Sequence, residues 1–224
     1  MARRVDPVVG PWRIDLHSHT YVSPDSLTDP RDLIERAREV GLAKLAITDH
    51  NAIEGALEAY GLAPDLIIVG QEIDTEVGGE LIAYFVTEQI PRDLPPERAI
   101  ALLRQQGALI SISHPLDRLS GSAMGEKHTL ALIDKVDALE VFNARCLLAE
   151  DNRRAAELAA KHGKLGTAGS DGHTLPEIGA AYVELPPFKH NVEAFRAALA
   201  KGKAHGRLTG FMPHVRSTLA KRKK

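Results

Sequence analysis

Leu45-Ala46-Ile47-Thr48-Asp49-His50 sets a pattern that the rest of the chain repeats. A short apolar run of this kind reads as a buried parallel strand. It ends on two residue types that bind metals. Working outward, Ile14-Asp15-Leu16 runs into His17 and His19. Leu66-Ile67-Ile68-Val69 leads to Glu72, and Ala108-Leu109-Ile110-Ser111-Ile112 ends near His114. Leu165-Gly166-Thr167-Ala168 leads to Asp171 and His173. In a β/α barrel the chemistry sits at the C-terminal ends of the strands. Five such ends would converge on one mouth.

Helix signals separate the strands. Asp29 reads as an N-cap with Pro30 at the first helical position, and the helix runs to Val40 with Gly41 as its stop. Ile53–Tyr60 reads as a short helix, Pro95-Pro96 opens another through Gln106, and Glu150–His162 forms a third. Gly78-Gly79, between Ile73–Val77 and Leu81–Val86, is a hairpin signal. Leu139–Phe142, Ala181–Leu185 and the helix Val192–Ala200 complete the set. The alternation predicts an α/β fold with a mostly parallel sheet and right-handed crossovers. About seven parallel strands point to a closed or distorted barrel, with a doubly wound open sheet as the alternative.

The bulk properties fit one soluble domain. The 224 residues suffice for a sizeable core, and 44% are hydrophobic and 26% charged. The net charge of -2 gives no global pull toward nucleic acid or an anionic membrane. Cys146 is the single cysteine, which fits a reducing compartment. Met1-Ala2-Arg3-Arg4 is followed by no apolar segment, and no run of about 18 apolar residues occurs. The expectation is a cytoplasmic protein without a membrane partner. Residues 211–224 read as a basic tail, and Lys221-Arg222-Lys223-Lys224 as its solvated end rather than a nucleic-acid patch.

The strand ends supply the candidate ligands. On a strand, positions two apart share a face, so His17 and His19 can reach one metal. Asp15 is a candidate support for an imidazole. Asp25 sits in a turn-like loop, and His50 reads as a ligand with Asp49 as its support or as a helix cap. Glu72 follows a fully apolar strand, where an unpaired charge is costly, and a bridging role between two cations would satisfy it. Glu80 lies in the hairpin, where exposed charges are common. With His114, Asp171 and His173 the ligands are too many for one ion, since zinc usually takes four. Two or three divalent ions, zinc, manganese or iron, would absorb them. Asn143 and Arg145 are candidates for meeting a substrate, and Arg145 and Arg118 carry guanidiniums that would suit a phosphate. His128, His162, His190, His205 and His214 read as surface or structural.

The segments DLHSHTYVSPDS, AITDHNAIEGA, GQEI, ISHP and GSDGH, in that order, resemble the PHP (polymerase and histidinol phosphatase) superfamily. The likeness is greatest to its small stand-alone phosphoesterases. It implies a distorted (βα)7 TIM-like barrel over residues 12–210 with a trinuclear metal site. It further implies that His17, His19, Glu72 and Asp171 hold one metal. Glu72 would bridge to a second that also takes His114, while Asp25, His50 and His173 would hold a third. The chain departs from the family where Glu80 stands at about the place of a histidine. It also has only Val86 to Gly107 where relatives often carry an inserted subdomain.

The expected activity is hydrolysis of a phosphomonoester of a small metabolite or nucleotide by a metal-bridging hydroxide. Asp171 and His173 are the candidate catalytic residues, His173 as a proton donor to the leaving group. An amidohydrolase-like reaction and a metal-binding module without turnover are the alternatives.

Overall fold

The computed structural model describes residues 10–224. The leader reading of Met1–Arg4 lies outside the described residues. The chain order is β1 Trp12–Asp15, α1 Pro30–Glu39, β2 Lys44–Ile47, α2 Glu54–Leu62, β3 Ile67–Asp74, β4 Glu80–Tyr84, α3 Pro96–Gln105, β5 Leu109–Ile112 and α4 Gly125–Leu132. It continues with β6 Ala138–Asn143, α5 Ala149–Lys161, β7 Leu165–Gly169, β8 Ala181–Leu185, α6 Val192–Leu199, β9 Lys203–Gly206 and α7 Met212–Lys221. Among the described residues no helix is long and apolar enough to cross a membrane.

The strands form one nine-stranded sheet in the order β7-β6-β5-β4-β3-β2-β1-β8-β9. It nearly closes into a barrel. Leu16 N donates to Ala168 O at 3.2 Å, and Ser18 and Gly172 form a parallel bridge. The closure needs a glycine, because a Cβ at Gly169 would stand 2.2 Å from the Cβ of His17. The expected distorted TIM-like barrel is therefore present, with a more mixed sheet than seven parallel strands. Strand β4 runs antiparallel to β3 and β5, and β8 runs antiparallel to β1 and β9. The runs read as two strands, Leu66–Val69 and Ile73–Val77, are parts of one continuous strand, β3, with the Gly78-Gly79 turn after it. Exposed β9 has no apolar run to announce it.

The continuous apolar runs divide between two faces, as a pleat requires. Leu45, Ile47, Ile67 and Val69 pack outward against Leu33, Ile34, Ala37 and Ala56 of α1 and α2. Ala46, Ile68, Ile82 and Ala168 point inward and share a core with Phe195 and Leu199 of α6. Leu109, at the start of β5, and Leu185, at the end of reversed β8, belong to this same core. Helix α6 thus plugs the N-terminal end of the barrel and leaves the C-terminal end as the mouth. Helix α1 starts as the sequence indicates: the Asp29 side chain accepts from Arg31 N at 2.8 Å, and Gly41 adopts φ +74° beyond its end.

The C-terminal segment is exposed at Lys221–Lys224 but is not a tail throughout. It forms α7, which lies across the mouth with Pro213, Ser217 and Ala220 buried. Proline at the first turn and small residues on the inner face permit that close packing.

Candidate metal centre

Strand direction explains which residues meet. His17 and His19 follow β1, His50 follows β2, His114 follows β5, and Asp171 and His173 follow β7. Glu72 lies within β3. Because β4 is antiparallel, its first residue, not its last, lies at the mouth. The register pairs Glu80 with Asp74, and Glu80 is 3% exposed. It is a buried strand residue rather than an exposed hairpin charge.

The ligand atoms approach closely. His17 Nε2 lies 3.2 Å from Glu72 Oε1 and 3.7 Å from Asp171 Oδ1. His19 Nε2 lies 3.6 Å from Glu72 Oε2 and 3.3 Å from Asp171 Oδ1. A tetrahedral zinc with ligands at about 2.1 Å separates them by about 3.4 Å, so His17, His19 and Glu72 have the spacing of one shell, with Asp171 Oδ1 beside both histidines. His114 Nε2 stands 3.2 Å from Glu80 Oε2 and 3.6 Å from Glu72 Oε1. His50 Nδ1 lies 3.1 Å from Glu72 Oε2 and 3.5 Å from Glu80 Oε1. His173 Nε2 lies 3.2 Å from Asp25 Oδ1, and His50 Nε2 lies 3.7 Å from Asp25 Oδ2. Glu72 recurs more often than any other carboxylate, in four of these ten approaches. Asp74 is also near His50 and Glu80, but its carboxylate receives Asn51 Nδ2 and Arg92.

Unpartnered atoms test whether cations fit. His17 Nε2, His19 Nε2, Asp25 Oδ1, Glu72 Oε2, Glu80 Oε2 and His114 Nδ1 are buried without a hydrogen-bond partner. Burying that many polar atoms unpaired is costly. Six of the ten such atoms among the described residues belong to the residues of this one cluster, and divalent cations would satisfy the five that face its centre, since His114 turns Nε2 rather than Nδ1 toward Glu72 and Glu80.

Supporting residues orient the rings. His17 Nδ1 donates to Glu140 Oε1 at 3.0 Å, which turns Nε2 toward Glu72 and Asp171. His19 Nδ1 donates to Ser23 Oγ at 3.1 Å, and Ser23 Oγ donates to Asp49 Oδ1 at 2.7 Å. Asp49 also accepts from Thr20 N; it supports the His19 ring through Ser23 rather than the His50 ring, and it does not cap α2. Asp15 does not orient an imidazole. Its carboxylate accepts from the backbone of Ser170, Gly179 and His17, because it points away from the ring face of its strand. Ser113 Oγ donates to Glu72 Oε1 at 2.7 Å. Sequence reasoning missed Glu140, although a carboxylate inside the run Leu139-Glu140-Val141 was the available signal.

The field of the cluster follows from these neighbours. Burial pushes the Glu72 carboxyl up, but His17 and His50 outweigh it and hold it well below the ordinary range. Burial, with His173 and His50 nearby, pushes His19 down to about 3, so it stays neutral and able to bind a metal. Burial and then Glu72 raise the Glu80 carboxyl.

The candidate substrate residues have different fates. Asn143 ends β6 and donates to Glu140 Oε2 and Asp171 Oδ2, at 3.0 and 3.2 Å. Arg145 lines the mouth but is 6% exposed and bound on several sides. Arg118 is not brought to the mouth. Its Nε donates to Asp151 Oδ1 at 2.7 Å, and the turn after His114 carries it to α5. His214, read as a surface residue, lines the mouth, and its Nε2 donates to Arg145 O at 3.0 Å. The mouth itself is a cavity of about 380 Å³.

Comparison with known proteins agrees with this geometry. Residues 15–159 match the PHP domain model, and residues 149–204 match the PHP-associated model. The chain belongs to the PHP domain family. An uncharacterized protein of Methanocaldococcus jannaschii is 35% identical over 176 residues, 77% of this chain and 70% of that protein. A two-domain protein of Bacteroides vulgatus, containing a predicted PHP-like metal-dependent phosphoesterase, shares the fold. Its TM-score is 0.73 at 19% identity, over 92% of this chain and 70% of that one. The lesion-specific endonuclease Q of Pyrococcus furiosus also shares it, with a TM-score of 0.65 at 18% identity, over 87% of this chain and 57% of that one.

Proposed function

We propose that this protein is a metal-dependent phosphoesterase that hydrolyses a phosphomonoester of a small metabolite or nucleotide. The observation that carries the reading is the gathering of five unpartnered buried ligand atoms, His17 Nε2, His19 Nε2, Asp25 Oδ1, Glu72 Oε2 and Glu80 Oε2, in one cluster at the mouth. His17, His19, Glu72 and Asp171 would hold one cation, Glu72, Glu80 and His114 a second, and Asp25, His50 and His173 a third. Bound zinc, manganese or iron would supply Lewis acidity and an activated water.

The chain's own residues set the geometry around that chemistry. Glu72 offers both oxygens to different histidines, His17 through Oε1 and His50 through Oε2, which suits a bridging carboxylate. Asn143 fixes Asp171 from the side of β6. His173, the expected proton donor, has Nδ1 on Asp171 O at 2.8 Å and Nε2 3.2 Å from Asp25 Oδ1, so as a ligand of the third cation it would keep no nitrogen free to protonate a departing alkoxide.

The end of a nucleic acid is a second class of substrate. Net charge alone argues against it, but endonuclease Q shares this fold. The test is turnover by metal-restored protein on p-nitrophenyl phosphate, bis-p-nitrophenyl phosphate, a 5′-phosphorylated oligonucleotide and a lactone. Preference for the first supports the monoester reading. Turnover of the oligonucleotide alone moves the assignment to nucleic acid, and lactone hydrolysis without phosphatase activity moves it to amidohydrolase chemistry.

A further inference from the structure

Arg145 and Lys221 are the lysine and arginine side chains among the residues lining the mouth. Their surroundings are opposite. The Arg145 guanidinium is spent within the protein. Its NH2 group donates to Ser217 Oγ at 2.7 Å, its NH1 group donates to Asp171 O and faces His173 Nδ1, and its Nε lies 3.8 Å from Glu177 Oε1. A guanidinium has five donors in a fixed fork; here NH1 and NH2 are hydrogen-bonded within the protein, while Nε only faces the Glu177 carboxylate. Arg145 is a clamp that ties the end of β6 to α7.

The clamp is part of a wider anchorage. Thr209 N donates to Ala144 O at 2.8 Å, and His214 Nε2 donates to Arg145 O. Beyond the helix, Lys224 Nζ donates to Tyr21 O and, at 2.5 Å, to Ser23 O. Helix α7 is thus fixed at both ends over the mouth. Its inward side presents Lys221, whose side chain is 58% exposed and whose Nζ lies 3.4 Å from Asp25 Oδ2. Asp25 is one of the carboxylates of the ligand cluster, so an anion drawn to the cluster comes within reach of this ammonium. The flexible lysine stem can follow it, which the packed arginine cannot do.

We propose that Lys221 recognises the phosphate of the substrate, and that Arg145, Ser217 and His214 are positioning residues that hold α7 to deliver it. The assignment rests on the phosphoesterase reading above. It moves phosphate recognition from the strand-end arginine to a helix that the PHP-domain match at residues 15–159 does not include.

Inorganic phosphate is the probe, titrated calorimetrically into metal-restored full-length protein, with metal content and p-nitrophenyl phosphate kinetics measured on the same samples. Lys221→Gln should weaken phosphate binding by about tenfold or more, the loss of one hydrogen bond to a charged group. KM should rise in step, kcat should change far less, and metal content should be unchanged. Lys221→Arg should restore much of the affinity. Lys223→Gln removes the same charge from the outer groove beside α7 and should behave as wild type. Equal phosphate affinity in Lys221→Gln and wild type overturns the assignment, as does an equal loss in Lys223→Gln. A gain of bound metal in Lys221→Gln with unchanged phosphate affinity also overturns it, because Lys221 would then be standing in for a cation. Failure of the wild-type protein itself to bind phosphate or turn over any phosphate ester removes the phosphoesterase reading, and the assignment with it.

Discussion

Glu140 Oε1 lies 3.0 Å from Nδ1 of His17, and that contact fixes which nitrogen of the ring faces the ligand cluster. The same carboxylate receives the backbone N–H of His114 at 2.8 Å, so one residue aligns ligands from two strand ends. Partners of this kind raise ligand basicity and typically govern metal affinity by about 10–100-fold. Glu140→Gln keeps the shape but offers one acceptor oxygen instead of two. It should weaken metal binding by about 10–100-fold with the fold intact, measured by competition against a chelator. Unchanged affinity would show that His17 needs no such support.

Direct loss of a ligand should be more severe. His17→Ala should lose bound metal and turnover together, with unchanged far-ultraviolet circular dichroism. Full turnover in this variant would remove the proposed site.

Glu80 gives the cluster a hard oxygen donor facing His114 and His50. Glu80→His should leave the fold intact and shift preference from manganese toward zinc, since imidazole suits zinc and carboxylate suits manganese. The check is the ratio of the two metals retained after equilibration with both. An unchanged ratio would place Glu80 outside the coordination shell.

Much of the site was legible because ligand residues sat at the ends of apolar runs. That rule depends on strand direction, and it works for His50, His114 and Asp171, which follow parallel strands. It fails for Glu80, because a glycine turn reverses β4 and brings its first residue to the mouth. Glu140 was hidden for a different reason: a carboxylate within a strand shows its partner only after the barrel closes. Arg118 was close in sequence to His114, yet the turn between them sends its side chain to Asp151. The role of residues 211–224 was illegible because Ser217 and His214 acquire meaning only against Arg145, more than sixty residues earlier in the chain.

Stability away from the site depends on Asp137, which receives Arg104 at 2.5 Å, Arg196 at 2.7 Å and the backbone N–H of Ile110 at 2.8 Å. Burial pushes this carboxyl up, but the two guanidiniums outweigh it and hold it below the ordinary range. A depressed carboxyl stabilises the fold above its unfolded pKa of about 4 and loses that contribution as pH falls through the folded value. Asp137→Asn should cost about 1–3 kcal/mol at pH 7. The gap from wild type should narrow below about pH 4, read by denaturant unfolding. A gap that is constant with pH would assign the loss to packing instead of charge.

Metal should also stabilise the fold, because the ligand shell exists only in the native state. At a free concentration of 100 times Kd, an ion contributes about 2.7 kcal/mol. Chelation should therefore lower the unfolding midpoint, and metal restoration should recover it. A midpoint indifferent to chelator would mean that the cluster binds no ion of consequence.

A mouth that gathers ligands for more than one cation and acts on phosphate esters must gain and lose turnover with its ions. Elemental analysis of metal per chain, paired with p-nitrophenyl phosphate turnover before chelation, after it and after metal restoration, tests this most directly. Two or three ions per chain are expected, with turnover that is lost and regained with them. One ion or none after restoration, with no turnover at any stage, would contradict a multinuclear phosphoesterase.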